Sequence, residues 1–494
     1  MKTNRLAISV LAMTMSLAVS AQTSFDAAKL YEEELNGTAR YVAMGGAMGA
    51  LGSDASVISH NPAGIGTYRK SDVNFSVSAF GGSVNTDPLA AKSHQLTANG
   101  RTYYSHNYKS DINVAFDNFS AIFSGGDNGS NYVNFGLSYR KLQNMDRNMD
   151  YVDAFLDAND YEVWREYKDH QRNKIGSWDF NISGNLSDKI YLGWTFGVLT
   201  TDTWSEGYFW DYYGTDDINP DNLKGFQYTC ADKMNESEGS GWNMAIGTII
   251  RPIPALRLGA AVKSPTYFRQ TLEYADYLYA VMGDQMDGDK FVNSVEYKFT
   301  SPWSVDLSAG LTFGGPAFSM ALGAEYEKHF TQRSSLTVGN TRLDNQGAIH
   351  YQDYSVLKLG AELNFGNISL RGGYNYRQSM YTPNYERFDL NTEERLYPYL
   401  WDTDFNGWGY NDKNELVVGR TDFQIDRLCD TQYMTGGIGY CSTPDADGTQ
   451  FYIDIAYIHG IRNNIMNVNE YIEDVDVNYN YKTDKVMLTV GWNF

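Results

Sequence analysis

The chain of 494 residues is poor in cysteine and proline, short of positive charge, and has no long apolar run beyond its first residues. Cys230, Cys429 and Cys441 are too few to staple a small secreted scaffold. After the N-terminus no stretch approaches the about 18 apolar residues of a spanning helix. With 39 Lys and Arg against 60 Asp and Glu the net charge is −21, so the basic footprint of nucleic-acid binding is missing. The 7 His are scattered, with no H-E-x-x-H, no C-x-x-C and no G-x-S-x-G, and the chain reads as a non-enzyme.

What is abundant is aromatic and small: 38 Tyr, 24 Phe, 10 Trp and 46 Gly. That usage suits a wall that is greasy on one face and wet on the other. Lys2 and Arg5, the apolar run from Leu6 to Val19 and the small residues Ser20 and Ala21 form the pattern of a secretory signal peptide over residues 1–21. No cysteine follows the cleavage point, so no lipoprotein anchor is expected.

The strongest signal is alternation. In "WSVDLSAGLTF", Trp303, Val305, Leu307, Ala309, Leu311 and Phe313 are apolar, while Ser304, Asp306, Ser308, Gly310 and Thr312 between them are polar or small. In a strand the two sets point to opposite faces. The pattern recurs at Val133, Phe135, Leu137 and Tyr139, at Phe318, Met320, Leu322, Ala324 and Tyr326, at Phe451, Ile453, Ile455 and Tyr457, and at Val486, Leu488, Val490, Trp492 and Phe494. Strands end alternately in tight turns ("SDK", "RPIP", "FGN", "PDADG") and in long polar loops, roughly 81–111, 144–175, 203–239, 277–291, 331–350, 381–430 and 463–479. Short turns on one side and long loops on the other are the mark of an outer-membrane barrel. The fold expected is all-β: a transmembrane antiparallel β-barrel of about 14 strands over 71–494. Two strands, 254–276 and 292–313, are overlong and hold Pro265 and Pro302; each is either kinked or split, and splitting would make sixteen strands. Trp178, Trp194, Trp242, Trp303 and Trp492 are candidates for interfacial girdles. Phe494 ends an outward-facing strand and resembles the aromatic signal read by the barrel-assembly machinery.

Residues 22–70 precede the first strand. They read as a helix over roughly 25–35, a glycine-rich turn through Gly45, Gly46, Gly49 and Gly52, and a short helical "SDASVIS" capped by Ser53 or Asp54 and ended before Asn61-Pro62. The glycines fit neither G-x-G-x-x-G nor a P-loop. Small residues let a backbone press against a wall, as an internal plug requires. "ARYVAMGGAMGALGSDASVISHNPAGIG" resembles the N-terminal hatch of the FadL/TodX-type transporters of hydrophobic compounds, whose Asn-Pro-Ala motif is matched by Asn61, Pro62 and Ala63.

The resemblance implies a monomer in the bacterial outer membrane, in contact with lipid and lipopolysaccharide, plugged by its N-terminal hatch. It implies passive uptake of a hydrophobic small-molecule ligand, long-chain fatty acids or aromatic hydrocarbons. Gly45, Gly46, Asn61, Pro62 and Ala63 would serve the hatch, Gly136 would mark a lateral-gate kink in the third strand, and Phe25 would reach the ligand. Arg371 and Arg377, inward by parity with Arg140 and Lys358, are candidates to hold a ligand carboxylate, or else to pair with Asp306, Glu325, Glu362 and Asp454. Asp402, Asp404 and Asn406, followed by Gly407, match the first half of a calcium loop, but Lys413 stands where its bidentate Glu belongs. No other cofactor is expected. The alternative is a barrel that binds partner proteins in a secretion or surface-assembly system and transports nothing.

Overall fold

The computed structural model describes residues 29–88, 108–109, 112–126, 131–156, 162–213, 227–282, 285–315, 317–338, 341–344, 351–380, 408–410, 416–418, 425–469 and 474–494. Phe25 and the Asp402, Asp404 and Asn406 stretch lie outside them, as do the side chains of Cys230 and Cys429.

The alternating segments form one closed antiparallel wall of fourteen strands. In chain order these are β1 Asp72–Pro88, β2 Asn113–Gly126, β3 Tyr132–Leu156, β4 Glu162–Leu186, β5 Ile190–Tyr213 and β6 Gln227–Ile253. Next, β7 runs in two pieces, Leu256–Lys263 and Tyr267–Met282, and so does β8, Gln285–Thr300 and Trp303–Gly314. The wall continues with β9 Phe318–Phe330, β10 Tyr354–Phe365, β11 Ile368–Arg377, β12 Ile425–Cys441, β13 Gln450–Asn469 and β14 Asp474–Asn493. Each strand pairs with its neighbours in sequence, and β1 closes on β14 from Asp72↔Asn493 to Pro88↔Val477. Ser71 and Phe494 complete the seam by exchanging backbone hydrogen bonds of 3.0 and 2.9 Å.

Parity works as the sequence predicts. Phe135, Phe180, Leu307, Leu311, Ile455 and Leu488 are exposed, whereas the intervening Asn134, Asp179, Ser308, Asp306, Asp454 and Thr489 are buried. The outside is therefore apolar and the inside polar, the inverse of a soluble domain and the arrangement that lipid demands. Aromatic pairs sit near both strand ends, with Trp242 against Tyr267 at 4.7 Å and Trp303 stacked on Phe330 at 4.3 Å on the side of the long hairpins. Trp492 against Phe75 at 6.3 Å lies on the side of the tight turns.

The overlong strands are kinked, not split. β7 breaks at Ser264-Pro265-Thr266 and β8 beside it at Ser301-Pro302, and the wall continues across both breaks. A proline cannot donate to the ladder. Hydroxyls repair the gap: Thr266 N donates to Ser301 Oγ at 2.8 Å, and Met244 N to Ser264 Oγ at 2.9 Å.

Several of the expected loops are instead paired strand. β3 and β4 have 25 residues each, β5 has 24 and β6 has 27, where crossing takes about 9–11. Most of 144–175 and much of 203–239 thus form hairpins standing above the apolar belt. Their polarity suits water, and cross-strand pairing satisfies their backbone without lipid. The expected helix over 25–35 is also corrected: among its described residues only Lys29 is helical, and Glu32 to Leu35 have no regular structure. Glu32 and Glu33 turn to separate partners on the wall, Arg462 and Lys263, and Glu34 N donates to Leu142 O, which a helix would prevent.

Ser301→Ala should leave the buried Thr266 N–H without an acceptor and cost about 1–3 kcal/mol. A lower temperature for loss of the compact barrel band on a heat-modifiability gel is the expected readout.

Candidate functional site

The segment from Lys29 to Ser71 fills the lumen, mostly as turns rather than long helices. α1, Ala39–Ala43, is capped by Thr38, whose Oγ1 accepts from Tyr41 N and donates to Asp54. Asp54 in turn caps the 3₁₀ turn Ala55–Ser59 through Ser56 N, as one of the two expected caps. Asn61 has extended backbone ahead of Pro62 and caps a second 3₁₀ turn, Pro62–Thr67, by accepting from Ala63 N at 3.3 Å. Its Nδ2 donates to Thr248 O on β6 at 3.3 Å, so Asn61 shapes the hatch and ties it to the wall.

So irregular a plug leaves backbone groups without partners, and the inward polar residues supply them. Ala39 N donates to Thr489 Oγ1 at 2.7 Å and Gly49 N to Glu325 at 2.9 Å. Thr195 Oγ1 donates to Ile58 O, and Asn134 Nδ2 to Ile65 O, both at 2.7 Å. Asn375 Nδ2 donates to Gly45 O at 3.1 Å.

The close fit comes from glycines on both sides. Gly45 and Gly46 have φ of 63° and 79°, which side chains resist. Facing them, Gly310, Gly323, Gly360 and Gly373 are cross-strand partners in one row over β8 to β11. A Cβ at Gly323 would fall on Ala47 O, at Gly360 on Met44 O and at Gly373 on Gly45 N. This row is a shelf on which the hatch backbone lies. Parity hinted at it, since Gly310 takes an inward place in an alternating strand, but its alignment needs the register.

Charged groups lock the hatch above and below the shelf. Arg40 grips Glu362 through Nε and Nη2 at 2.8 and 3.1 Å, and Arg371 binds the same carboxylate at 2.6 Å and Asp454 at 2.5 Å. Glu33 meets Lys263 at 2.7 Å and Arg140 at 3.9 Å, and Glu32 meets Arg462 at 3.6 Å. Burial works against charge on Glu33, but Lys263 and Arg140 outweigh it and hold the carboxyl well below the usual carboxylate range. Arg377 donates to Glu33 O at 3.0 Å and stands over the Tyr354 ring. Arg371 and Arg377 are thus both engaged with the protein's own groups. Gly136 pairs regularly with Ile122 and Asn181. The register shift on β3 comes further on, between Lys141 and Gln143, and the β2–β3 ladder among the described residues ends at Asn118↔Arg140.

On the hairpin side of the shelf lies a buried apolar cluster, including Tyr31, Phe268, Phe299, Leu336, Tyr354 and Met380. Leu30 and Tyr31 of the hatch belong to it, with Tyr31 Oη 2.7 Å from His329 Nδ1. Polar-in parity does not reveal this cluster, because it uses the same inward positions higher up the strands.

Two outcomes check this description. Gly373→Val should expel the hatch while the barrel band persists, making residues 29–71 open to protease. Folding lowers the Glu33 pKa, so the ion pair contributes fully above the free carboxyl's value of about 4.3 and fades only as pH falls below it. Hatch protection from protease should accordingly stay flat from about pH 8 to 5 and drop only in stronger acid, whereas Glu33→Gln should be looser throughout.

No family model and no curated protein matches the chain. Solved structures do. A Pseudomonas aeruginosa FadL homologue aligns at 13% identity and TM-score 0.55 over 94% of this chain and 99% of that one. The Ralstonia pickettii toluene transporter TbuX aligns at 14% and 0.52, and the P. putida toluene transporter TodX at 13% and 0.52, each over 93% of this chain and 99% of its own. In its fold the chain is of the FadL/TodX type, a closed fourteen-stranded antiparallel β-barrel with an N-terminal plug.

Proposed function

We propose that this barrel is a passive uptake channel for hydrophobic small molecules, long-chain fatty acids or aromatic hydrocarbons. The observation that carries the reading is the buried apolar cluster around Phe268, Phe299 and Leu336 on the hairpin side of the hatch, built mostly from wall residues. A water-filled pore has no use for it, whereas a greasy solute gains about 0.8 kcal/mol per CH₂ it buries there. Leu30 and Tyr31 complete the cluster, so a ligand entering it would press on the hatch, and Gly45, Gly46 and Asn61 set how the hatch yields. The toluene transporters with the same fold support the reading. It includes a monomer set in lipid and lipopolysaccharide after delivery by the barrel-assembly machinery.

Uptake of labelled oleate and of toluene into proteoliposomes is the test. Phe268→Asp should cut it by about tenfold or more, since a buried charge replaces apolar surface, while outward-facing Leu357→Ala should not change it. Equal flux in wild type, Phe268→Asp and protein-free vesicles would overturn the proposal.

A second reading draws on the tall β3–β4 and β5–β6 hairpins, which stand far above the belt and suit a partner protein. A protein that co-purifies in fixed ratio, without uptake of either solute, would favour it.

A further inference from the structure

Between the glycine shelf and the apolar cluster, the inward face of β9 reads Gly323, Glu325, Glu327, His329. The ladder puts Ser308 opposite Glu325 and Asp306 opposite Glu327, so three carboxylates share one small patch of wall. His60, which ends the hatch's first 3₁₀ turn, comes down on it. One ligand atom from each of His60, Glu325 and Glu327 lies within 4.8 Å of the others.

The local hydrogen bonding leaves this patch short of positive charge. Glu325 accepts from Gly49 N at 2.9 Å and from Lys358 Nζ at 2.5 Å. Glu327 meets Lys358 at 3.2 Å and His329 at 3.0 Å. Among the described residues Lys358 is the only lysine or arginine bonded to these three carboxylates. Asp306 is 5% exposed, neither of its oxygens has a hydrogen-bond partner, and its carboxyl lies against that of Glu325. Two buried carboxyls side by side need a proton or a cation between them. Arg140 Nη1 donates to His60 Nε2 at 3.1 Å, so Nε2 is the ring nitrogen that carries the lone pair; a metal ion there would take the place of this hydrogen bond, and Arg140 would keep Ser59 Oγ and Glu33 as partners.

We propose that His60, Glu325 and Glu327, with Asp306, form a binding site for a divalent transition-metal ion of the zinc type. One imidazole and several carboxylates are an N/O donor set that suits Zn²⁺ or Mn²⁺, and the imidazole disfavours calcium. A divalent ion balances the two negative charges that Lys358 leaves unmatched. Because His60 belongs to the hatch and the carboxylates to β8 and β9, the ion clips plug to wall. Metal occupancy then becomes a second control on hatch release, independent of the solute carried. The spacing of the histidines in the sequence could not reveal this site, since His60 stands 246 or more residues before the carboxylates and meets them only when the hatch is seated.

The test uses the full chain, purified in detergent, stripped with EDTA and titrated with ZnCl₂ by calorimetry, with bound metal counted by mass spectrometry after desalting. The expected result is one Zn²⁺ per chain, weakened by about tenfold or more in His60→Ala and in Asp306→Asn, and unchanged in His459→Ala, a half-buried histidine on β13. Lys358→Met should tighten binding, because it removes the competing ammonium. If His60→Ala fails to give a compact barrel band, Glu327→Gln carries the same expectation. Zn²⁺ should also slow hydrogen exchange in residues 39–67 of the wild type alone. Absence of bound metal would overturn the proposal. So would Zn²⁺ that binds equally well to wild type, His60→Ala and Asp306→Asn, which would place the ion elsewhere.

Discussion

The structure depends on one requirement: an irregular plug inside a closed wall must find a partner for every backbone N–H and C=O it brings with it. α1 and two 3₁₀ turns satisfy few of their own groups. The rest are met by Thr489, Glu325, Thr195, Asn134 and Asn375, each on an inward strand position. The inside of this barrel is polar because its hatch is, and the glycine row from Gly310 to Gly373 brings the two backbones close enough to bond.

Electrostatics then divides the labour. Arg40, Glu362, Arg371 and Asp454 form a closed set of ion pairs near the tight-turn end, and Glu32 and Glu33 occupy the cations higher up. Removing one member leaves its partner buried and uncompensated, which costs far more than a surface pair would. The patch around Asp306 departs from this rule, as its oxygens have no partner. Other buried polar atoms also go without a partner, but among the described residues Asp306 is the one buried carboxyl with neither oxygen bonded, and such a group is a place to look for something the protein binds.

Above these pairs the wall changes use while keeping the same parity. Inward positions that hold Ser, Asn and Asp beside the hatch hold Phe268, Phe299 and Leu336 further up. The kinks at Pro265 and Pro302 fall at this change of level, next to Phe268 and Phe299. The hatch therefore touches both regimes: Leu30 and Tyr31 enter the apolar cluster, and Gly45 to Ala63 rest on a wall where polar residues are interspersed with Ile122, Ile458 and Met487.

Alternation by itself determined the barrel, because a period of two sends every second side chain to the lipid whatever the neighbours are. The strand number, the tight-turn side, the Asp54 cap and the stop before Pro62 were legible for the same reason: each is set by residues close in sequence. The outcome for 25–35 was not, since Glu32, Glu33 and Glu34 lose helical geometry to wall residues more than a hundred positions away. Nor could Arg371 and Arg377 be assigned, because parity shows that they point inward and says nothing of which carboxylate or carbonyl waits there. The glycine shelf, the apolar cluster and the meeting of His60 with Glu325 and Glu327 exist only once fourteen strands fix their mutual register and the hatch is seated among them. Local chemistry decided the wall; closure decided the site, since only closure brings distant inward faces onto one volume.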